Sequence, residues 1–193
     1  MRGEHLPRAH ASQLIWFVWR NLYSRDLLDR HRIRFDEGTR YGEDSPFNLN
    51  AFYHSLRAVV VQQDLYFYRE NPASLTQARF RPWLEAGVAA QYASKRAFLA
   101  NNQLGGEWLQ DLSRHVVYRQ LPELLVNVVR LDPVGAGAKI RELISLPMIE
   151  SSLHDVPLWN PRVPRGIAAL VFACKTKQPW IIQRLLRSQK RGD

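Results

Sequence analysis

The feature that most constrains the fold is a long succession of helical patterns in the later part of the chain. From about residue 79, apolar residues recur at helical spacing, and Gly-Gly or proline separates one segment from the next. The segments include GEWLQDLSRHVVYRQ and LPELLVNVVRL, and further helices are expected near 138–145, 165–174 and 179–190. Between them, PMIESSLHDVPLWNPRVPRG is expected to be a Pro-rich loop. The pattern predicts a helical part over residues 79–193.

The earlier residues show a more mixed pattern. Residues 12–30 predict one helix, or two short helices that break near Ser24. DEGTRYGED is expected to be a loop because it contains two glycines. After it, Pro46 suits the first position of a helix that runs to about residue 57, with Asp44 or Ser45 as its cap.

Three short runs in this part predict extended backbone. RIRF (32–35) is a short extended piece, and AVVV (58–61) and DLYFYR (64–69) are β-branched and aromatic runs typical of strands. The predicted fold class is therefore α/β, mostly α. A strand-helix-strand unit occupies residues 1–78, and the helical part follows it.

Charge and cysteine content limit the partners and the compartment. The chain carries 27 Lys and Arg against 18 Asp and Glu, a formal net charge of +9. This excess favours anionic partners, namely nucleic acid, a phosphate-bearing ligand or an anionic membrane surface. The single cysteine, Cys174, excludes a disulfide framework and is expected to be a small buried residue. No apolar run approaches the ~18 residues of a membrane span, and the N-terminus lacks the pattern of a secretory signal.

Several common site motifs are absent from the sequence. None of the six histidines forms an i,i+4 pair and there is no cysteine cluster, so no metal site is predicted. The phosphate-binding patterns GxxxxGK[ST] and GxGxxG do not occur, and neither does the nucleophile pattern GxSxG.

The C-terminal segment KTKQPWIIQRLLRSQKRGD supports two interpretations. It places Trp180, Ile181, Leu185 and Leu186 on or near one face of a basic helix, which is typical of a helix on an anionic membrane. A terminal helix that docks on the core with a solvated basic face explains the pattern equally well. Nucleic acid is a weaker alternative, because helix-turn-helix and RNA-binding signatures are absent.

The adjacent acids Glu43 and Asp44 also support two interpretations. An acid at a helix start accepts backbone N–H bonds and meets the positive end of the helix dipole, so a plain capping role is sufficient. A carboxylate that follows a glycine-bearing loop can instead project into a cleft and accept a proton.

Three segments in order resemble a known family. They are VWRNLYSRDLLDRHRIRFDEG (18–38), YGEDSPFNLNAFYHSLRAVVVQQDLYFYR (41–69) and ENPASLT (70–76). Together they look like the second half of the catalytic domain of glycosyltransferase family 2, over about residues 15–78. The family often shows a Trp-x-x-Leu-Tyr-x-Arg helix, an Ile-x-Phe-x-x-Gly piece and a Gly-Glu-Asp helix start. An aromatic strand and a Gly-Ser-Leu/Ile-Thr turn follow, and Ala73 stands here where glycine is common in that turn.

The resemblance implies a GT-A type fold and an inverting transfer of a sugar from a nucleotide-activated donor. By analogy, Asp44 is the general base that takes the proton from the acceptor hydroxyl, and Glu43 is the supporting acid or a cap. Tyr68 and Arg69 are the implied substrate-binding residues, bordering the donor diphosphate or the acceptor. Trp19 and Tyr23 are expected to be packing residues.

One departure from the family bears on activity. The family's first half carries the nucleotide-binding units and an Asp-x-Asp motif for Mg or Mn, and this chain contains no Asp-x-Asp. We therefore expect a fragment or half of an enzyme that is inactive alone, with its metal ligands outside this chain. It would act in surface polysaccharide biosynthesis on a saccharide or lipid-linked acceptor. It would be cytoplasmic and able to associate peripherally with the inner face of the membrane. The alternative is a non-catalytic helical interaction module with a basic, membrane-binding C-terminus.

Overall fold

The computed structural model describes residues 17–39, 41–61, 63, 65–67, 69, 80–132, 134–158, 160 and 163–188. A short 3₁₀ turn at Val18–Arg20 opens the described chain. Within the described residues, nine α-helices follow: α1 Arg25–Arg30, α2 Asp44–His54, α3 Leu84–Asn101, α4 Glu107–His115, α5 Leu121–Leu131, α6 Ala136–Ile144, α7 Pro147–Asp155, α8 Arg165–Lys175 and α9 Pro179–Ser188. A π-helical segment, Val116–Gln120, joins α4 to α5.

The predicted α/β fold class, with its GT-A-like strand-helix-strand unit, is wrong. The described residues contain helices and loops and no β-strand. In the first of the predicted extended pieces, RIRF, the backbone bonds of 32 and 33 return to the preceding helix. The N–H of Arg32 bonds to the carbonyl of Asp29 and that of Ile33 to Leu28. With Arg32 at φ 51, these bonds form a Schellman motif that ends α1.

The other two predicted strands, 58–61 and 64–69, also lack regular structure where they are described. Their large apolar side chains remain in solvent, including Val59 and Phe67, which is 91% exposed. β-Branched and aromatic residues favour strands because they pack against cross-strand neighbours. The described residues provide no partner strand for these side chains, so the local preference does not produce a strand.

The chain divides into two compact units. The first comprises the described residues within Met1–Ser74 together with Ala86–Phe98, and the second those within Leu75–Glu85 and Leu99–Asp193. The predicted boundary between residues 78 and 79 lies outside the described residues.

The first unit has a small apolar core around α2. Ile33, Phe47 and Ala51 are buried, and Val18, Tyr23, Leu27 and Leu28 pack against them. The Phe47 ring stacks on Phe35 with centroids 4.3 Å apart and meets the edge of Tyr23 at 5.3 Å. The aromatic contacts therefore tie the start of α2 to the segments before it.

The second unit is a helical assembly with a larger core. Helices α4 and α5 and the π-helical segment between them bury Val116, Val117, Leu121 and Leu125. The segment at Arg81, earlier in the chain, is bound to α5 through Asn127. The Asn127 side chain accepts from the Arg81 N–H at 2.8 Å and donates to the Arg81 carbonyl at 2.9 Å. This paired contact fixes the chain that enters the unit against α5.

Two sequence predictions in the second unit have definite outcomes. The expected Pro-rich loop after residue 146 is wrong in its first half, because α7 begins at Pro147. Proline suits a first helical position, and Ile149, Ser152 and Leu153 at helical spacing are buried. Cys174 is buried, as predicted.

Candidate functional site

The Gly-Glu-Asp turn leads directly into α2. Gly42 has a φ of +65°, and its carbonyl accepts the N–H of Ser45 at 3.1 Å. Glu43 precedes the helix in αR conformation and makes no side-chain capping bond. The predicted cap at Asp44 or Ser45 is wrong, because the helix already begins at Asp44 and Pro46 is its third residue. Pro46 is still tolerated, since a third helical residue has no intrahelical carbonyl for its N–H.

The carboxylate of Asp44 therefore serves a contact outside its own helix. Its Oδ2 accepts the backbone N–H of Val18, in the 3₁₀ turn, at 3.2 Å. Asp44 is half-buried, and this burial is the main cause that raises its pKa above the ordinary value. The hydrogen bond from Val18 opposes the rise, and the neighbouring charge of Glu43 adds to it. A carboxylate with a raised pKa is a stronger base than an ordinary aspartate.

A short polar network lies in the same electrostatic environment. The hydroxyl of Tyr23 donates to Asn48 Oδ1, and Asn21 Nδ2 donates to that hydroxyl at 3.1 Å. Burial raises the pKa of Tyr23, the Asn21 bond lowers it, and the charge of Asp44 raises it further. The charge of the Asp44 carboxylate therefore acts on the Tyr23 hydroxyl.

The network shows what the sequence did and did not reveal. Tyr23, expected to be a packing residue, does pack on Phe47 but also carries this polar contact. Asn48 was missed, although its position four residues after Asp44 on one helix puts both on the same face. Helical periodicity could therefore have found it.

An aromatic surface flanks Val18. The rings of Trp19 and Tyr66 are tilted by 32° with centroids 4.4 Å apart, and the ring centroids of Phe17 and Trp19 lie 5.4 Å apart. The guanidinium of Arg20 sits over the Trp19 ring at 5.0 Å, in a cation–π contact. Phe17 and Tyr66 are exposed, so part of this surface is open to solvent.

The remaining predicted site residues are less informative. Glu43 is half-buried beside Asp44. Arg69 is exposed, and Tyr68 lies outside the described residues. Among the residues that the structure describes, no group of three or more His, Cys, Asp or Glu side chains could hold a metal ion. The described part of the chain therefore does not fit a divalent cation site.

The C-terminal helix α9 docks mainly through its apolar face. Ile182 and Leu186 are buried, and Ile181 and Leu185 are half-buried. Trp180 stays 61% exposed, and its indole N–H donates to Gln178 Oε1 at 2.9 Å. Across the described residues, no helix combines the length and the apolar character required to traverse a bilayer.

Comparison with known proteins points to one class. The chain is 36% identical over 182 residues to the uncharacterized glycosyltransferase EpsJ of Bacillus subtilis (strain 168), covering 93% of this chain and 53% of that protein. It is 29% identical over 103 residues to the putative glycosyltransferase EpsH of the same organism, covering 52% of this chain and 30% of that protein. No protein-family model and no solved structure matches.

These similarities support the glycosyltransferase part of the resemblance seen in the sequence. The chain spans about half the length of EpsJ and less of EpsH. The similarity to EpsJ extends over nearly the whole chain, so it includes helical segments beyond the motifs around Asp44.

Proposed function

We propose that this chain is part of an inverting family 2 glycosyltransferase and supplies its general base, Asp44. The enzyme transfers a sugar from a nucleotide-sugar donor to a saccharide or lipid-linked acceptor in surface polysaccharide biosynthesis. The observation that carries the proposal is the half-buried Asp44 carboxylate, held by Val18 beside an aromatic surface. The similarity to EpsJ supports the reaction class.

In the proposed reaction, the acceptor hydroxyl attacks the anomeric carbon from the face opposite the nucleotide. The new C–O bond forms as the bond to the diphosphate breaks, and the electron pair leaves with the nucleoside diphosphate. Asp44 takes the hydroxyl proton and ends protonated. The hydroxyl becomes acidic only as its bond forms, so a weak base in the correct position is sufficient.

The surroundings of Asp44 suit this task. The Val18 N–H bond fixes the orientation of the carboxylate, and a carboxylate offers about four acceptor sites, so proton transfer does not require this bond to break. Burial and the Glu43 charge raise the pKa of Asp44, which strengthens it as a base. We propose that Glu43 supports Asp44 through this effect of its charge on the Asp44 pKa.

Binding of the substrates is divided between parts of the enzyme. We assign the acceptor to the exposed aromatic surface at Phe17, Trp19 and Tyr66, because sugar-binding sites use aromatic faces with a few polar groups. Tyr68 and Arg69 are proposed to border the acceptor or the donor diphosphate. Most of the donor site, and the ligands for Mg or Mn, are assigned to the part of the enzyme that corresponds to the uncovered portion of EpsJ. The cation, when bound, stabilises charge on the leaving diphosphate.

The test uses a chimaera in which this chain replaces the matching 182-residue segment of EpsJ. Release of nucleoside diphosphate is measured with a panel of UDP-, GDP- and dTDP-sugars, and native EpsJ identifies the donor. We expect Asp44→Asn to lower kcat by at least 10²-fold, the lower end of typical general-base contributions. The control Asp26→Asn changes an exposed acid of α1.

Two results contradict the proposal. One is a folded Asp44→Asn chimaera that turns over within twofold of its parent. The other is a folded but inactive chimaera alongside active EpsJ, because this chain would then not provide the base.

A second candidate function rests on Trp180. Its exposed indole lies one helical turn before the exposed Arg184, as in helices that lie on anionic lipid. Such a chain would be a helical interaction module at the inner, cytoplasmic face of the membrane. The test is sedimentation with vesicles containing about 30% phosphatidylglycerol, against pure phosphatidylcholine. Salt-sensitive binding to the anionic vesicles that Trp180→Ala weakens supports this function, and binding to neither contradicts it.

A further inference from the structure

Helix α3 contacts the turn that leads into Asp44. Gln91 Nε2 donates to the carbonyl of Gly42 at 2.9 Å, across 49 positions of the chain. Gln91 is 1% exposed, so its side-chain amide is buried, while Gly42 is half-buried. The same carbonyl accepts the N–H of Ser45 at 3.1 Å. One oxygen therefore joins the buried glutamine to the first turn of α2.

Two glycines make this close approach possible. A Cβ on Gly42 would overlap Gln91 Nε2, and the φ of +65° is one that side chains rarely adopt. A Cβ on Gly87 would lie 2.6 Å from the Tyr41 Cβ. Gly87 is four residues before Gln91 and therefore on the same face of α3. A glycine therefore stands at each of the two points where the turn and the helix touch, Gly42 on the turn and Gly87 on α3.

Lys95 sets the orientation of the glutamine. Its Nζ donates to Gln91 Oε1 at 3.2 Å, from four residues further along the same helical face. An ammonium or amine that donates to Oε1 leaves Nε2 as the amide atom that faces Gly42. Lys95 is itself 8% exposed, so the pair forms a buried polar contact on α3.

We propose that Gln91, oriented by Lys95, is a positioning residue that fixes the Gly42 turn and thereby the place of the Asp44 carboxylate. This inference rests on the proposed function for its catalytic consequence. The structural part of the inference, that one side-chain amide holds the turn, does not depend on the proposed function. A residue of the predicted C-terminal helical part is thereby assigned to the site around Asp44. A displacement of about 1 Å at a reacting group can lower a rate by ~100-fold.

The key variant is Gln91→Glu, which keeps the size of the side chain and retains an acceptor for Lys95. It replaces the amide donor at Gly42 with a carboxylate oxygen that repels the carbonyl. In the 193-residue chain, we expect hydrogen exchange of the Ser45 and Phe47 amides to accelerate at least tenfold. Gln110→Glu, on the exposed face of α4, is the matched control and leaves these amides unchanged. In the EpsJ chimaera, kcat falls at least tenfold and KM stays within twofold.

A second variant keeps the proposal testable if Gln91→Glu does not fold. Gly42→Ala acts on the same hydrogen bond from its other partner and should accelerate the same amides. Unchanged exchange at Ser45 and Phe47 in either folded variant overturns the positioning role, whatever the activity. If exchange accelerates but Asp44→Asn remains active, the proposed base is wrong and the support of the turn by Gln91 stands.

Discussion

Replacing Gly42 with alanine tests the two constraints that act on this residue. The first is conformational, because its φ of +65° lies in the left-handed region. The second is steric, because an added Cβ would overlap Gln91 Nε2. The two constraints can be separated, since only the second depends on the side chain at position 91.

The magnitudes follow from these contacts. A left-handed alanine costs ~1–2 kcal/mol relative to glycine. Displacing Gln91 also breaks its bond to the Gly42 carbonyl, which costs about 1–3 kcal/mol because the buried Gln91 amide loses its partner. Gly42→Ala should therefore reduce the free energy of unfolding by about 2–5 kcal/mol. In a Gln91→Ala background only the conformational cost of ~1–2 kcal/mol remains.

The assay is urea unfolding of both single variants and the double variant, which gives a coupling free energy. We expect the coupling to be about 1–3 kcal/mol in the direction that makes the double variant less damaged than the sum. Gly38→Ala is the control, because Gly38 has no positive φ and its nearest neighbour, Asp36 Oδ1, lies 3.3 Å from the added Cβ. Additive effects, or a loss no larger than that of Gly38→Ala, would refute the contact between Gly42 and Gln91.

Three further predictions concern buried polar groups. Burial lowers the pKa of Lys95 to about 7 from 10.5, so the unfolded chain binds more protons between these values and stability should rise with pH by up to ~1.4 kcal/mol per unit. Urea unfolding from pH 7 to 9.5 should show this rise, Lys95→Met should remove it and the more exposed Lys139→Met should keep it; equal slopes in all three contradict the burial of Lys95. Burial raises the pKa of Cys174 to about 12, so a thiol-exchange reagent should react only as the chain unfolds, and full labelling of folded protein within minutes would contradict this. Asn127→Ala leaves both bonded backbone groups of the chain entry without partners and should reduce the free energy of unfolding by about 2–4 kcal/mol, against under ~0.5 kcal/mol for the exposed Asn101→Ala, and an equal loss in both would contradict the pairing.

The helices could be predicted because their signal is local. Apolar residues at helical spacing identify α6, α8 and α9 within a few residues, and the break expected near Ser24 falls at the residue before α1. Pro147 favours a loop in the sequence, yet proline equally begins helices, and the outcome depends on whether Ile149 and Leu153 are buried in a core.

The strands were predicted incorrectly because strand preference is not local in the same sense. Ile33 is β-branched and almost completely buried, but the residue that follows a left-handed Schellman position is also commonly apolar. Nothing in RIRF distinguishes the two roles, since arginine at a left-handed position is uncommon. Val59–Val61 have the side chains of a strand, and only tertiary neighbours decide whether they form one.

The site shows the same division between local and distant information. The order of the neighbouring motifs singles out Asp44 and Glu43 as candidates in the sequence, and helical spacing could have added Asn48. Gln91 could not, because it reaches Gly42 across 49 positions and no local pattern indicates that contact. In the sequence, the contact is indicated only by a glutamine at a position where helical spacing predicts an apolar, buried residue.

The position of Asp44 has a physical explanation that joins these observations. A carboxylate that capped its own helix would have its oxygens bound by the backbone N–H groups that follow it, and its pKa would fall. Here the helix begins at Asp44 itself, and the turn before it is held by the Gly42 carbonyl, which bonds to both Ser45 and Gln91. The helix start is therefore stabilised without the carboxylate, which accepts a bond from Val18 and keeps a raised pKa. Loosening the turn should let the carboxylate cap its own helix, so Gln91→Ala, which adds no charge, should lower the pKa of Asp44 as well as its rate of proton transfer.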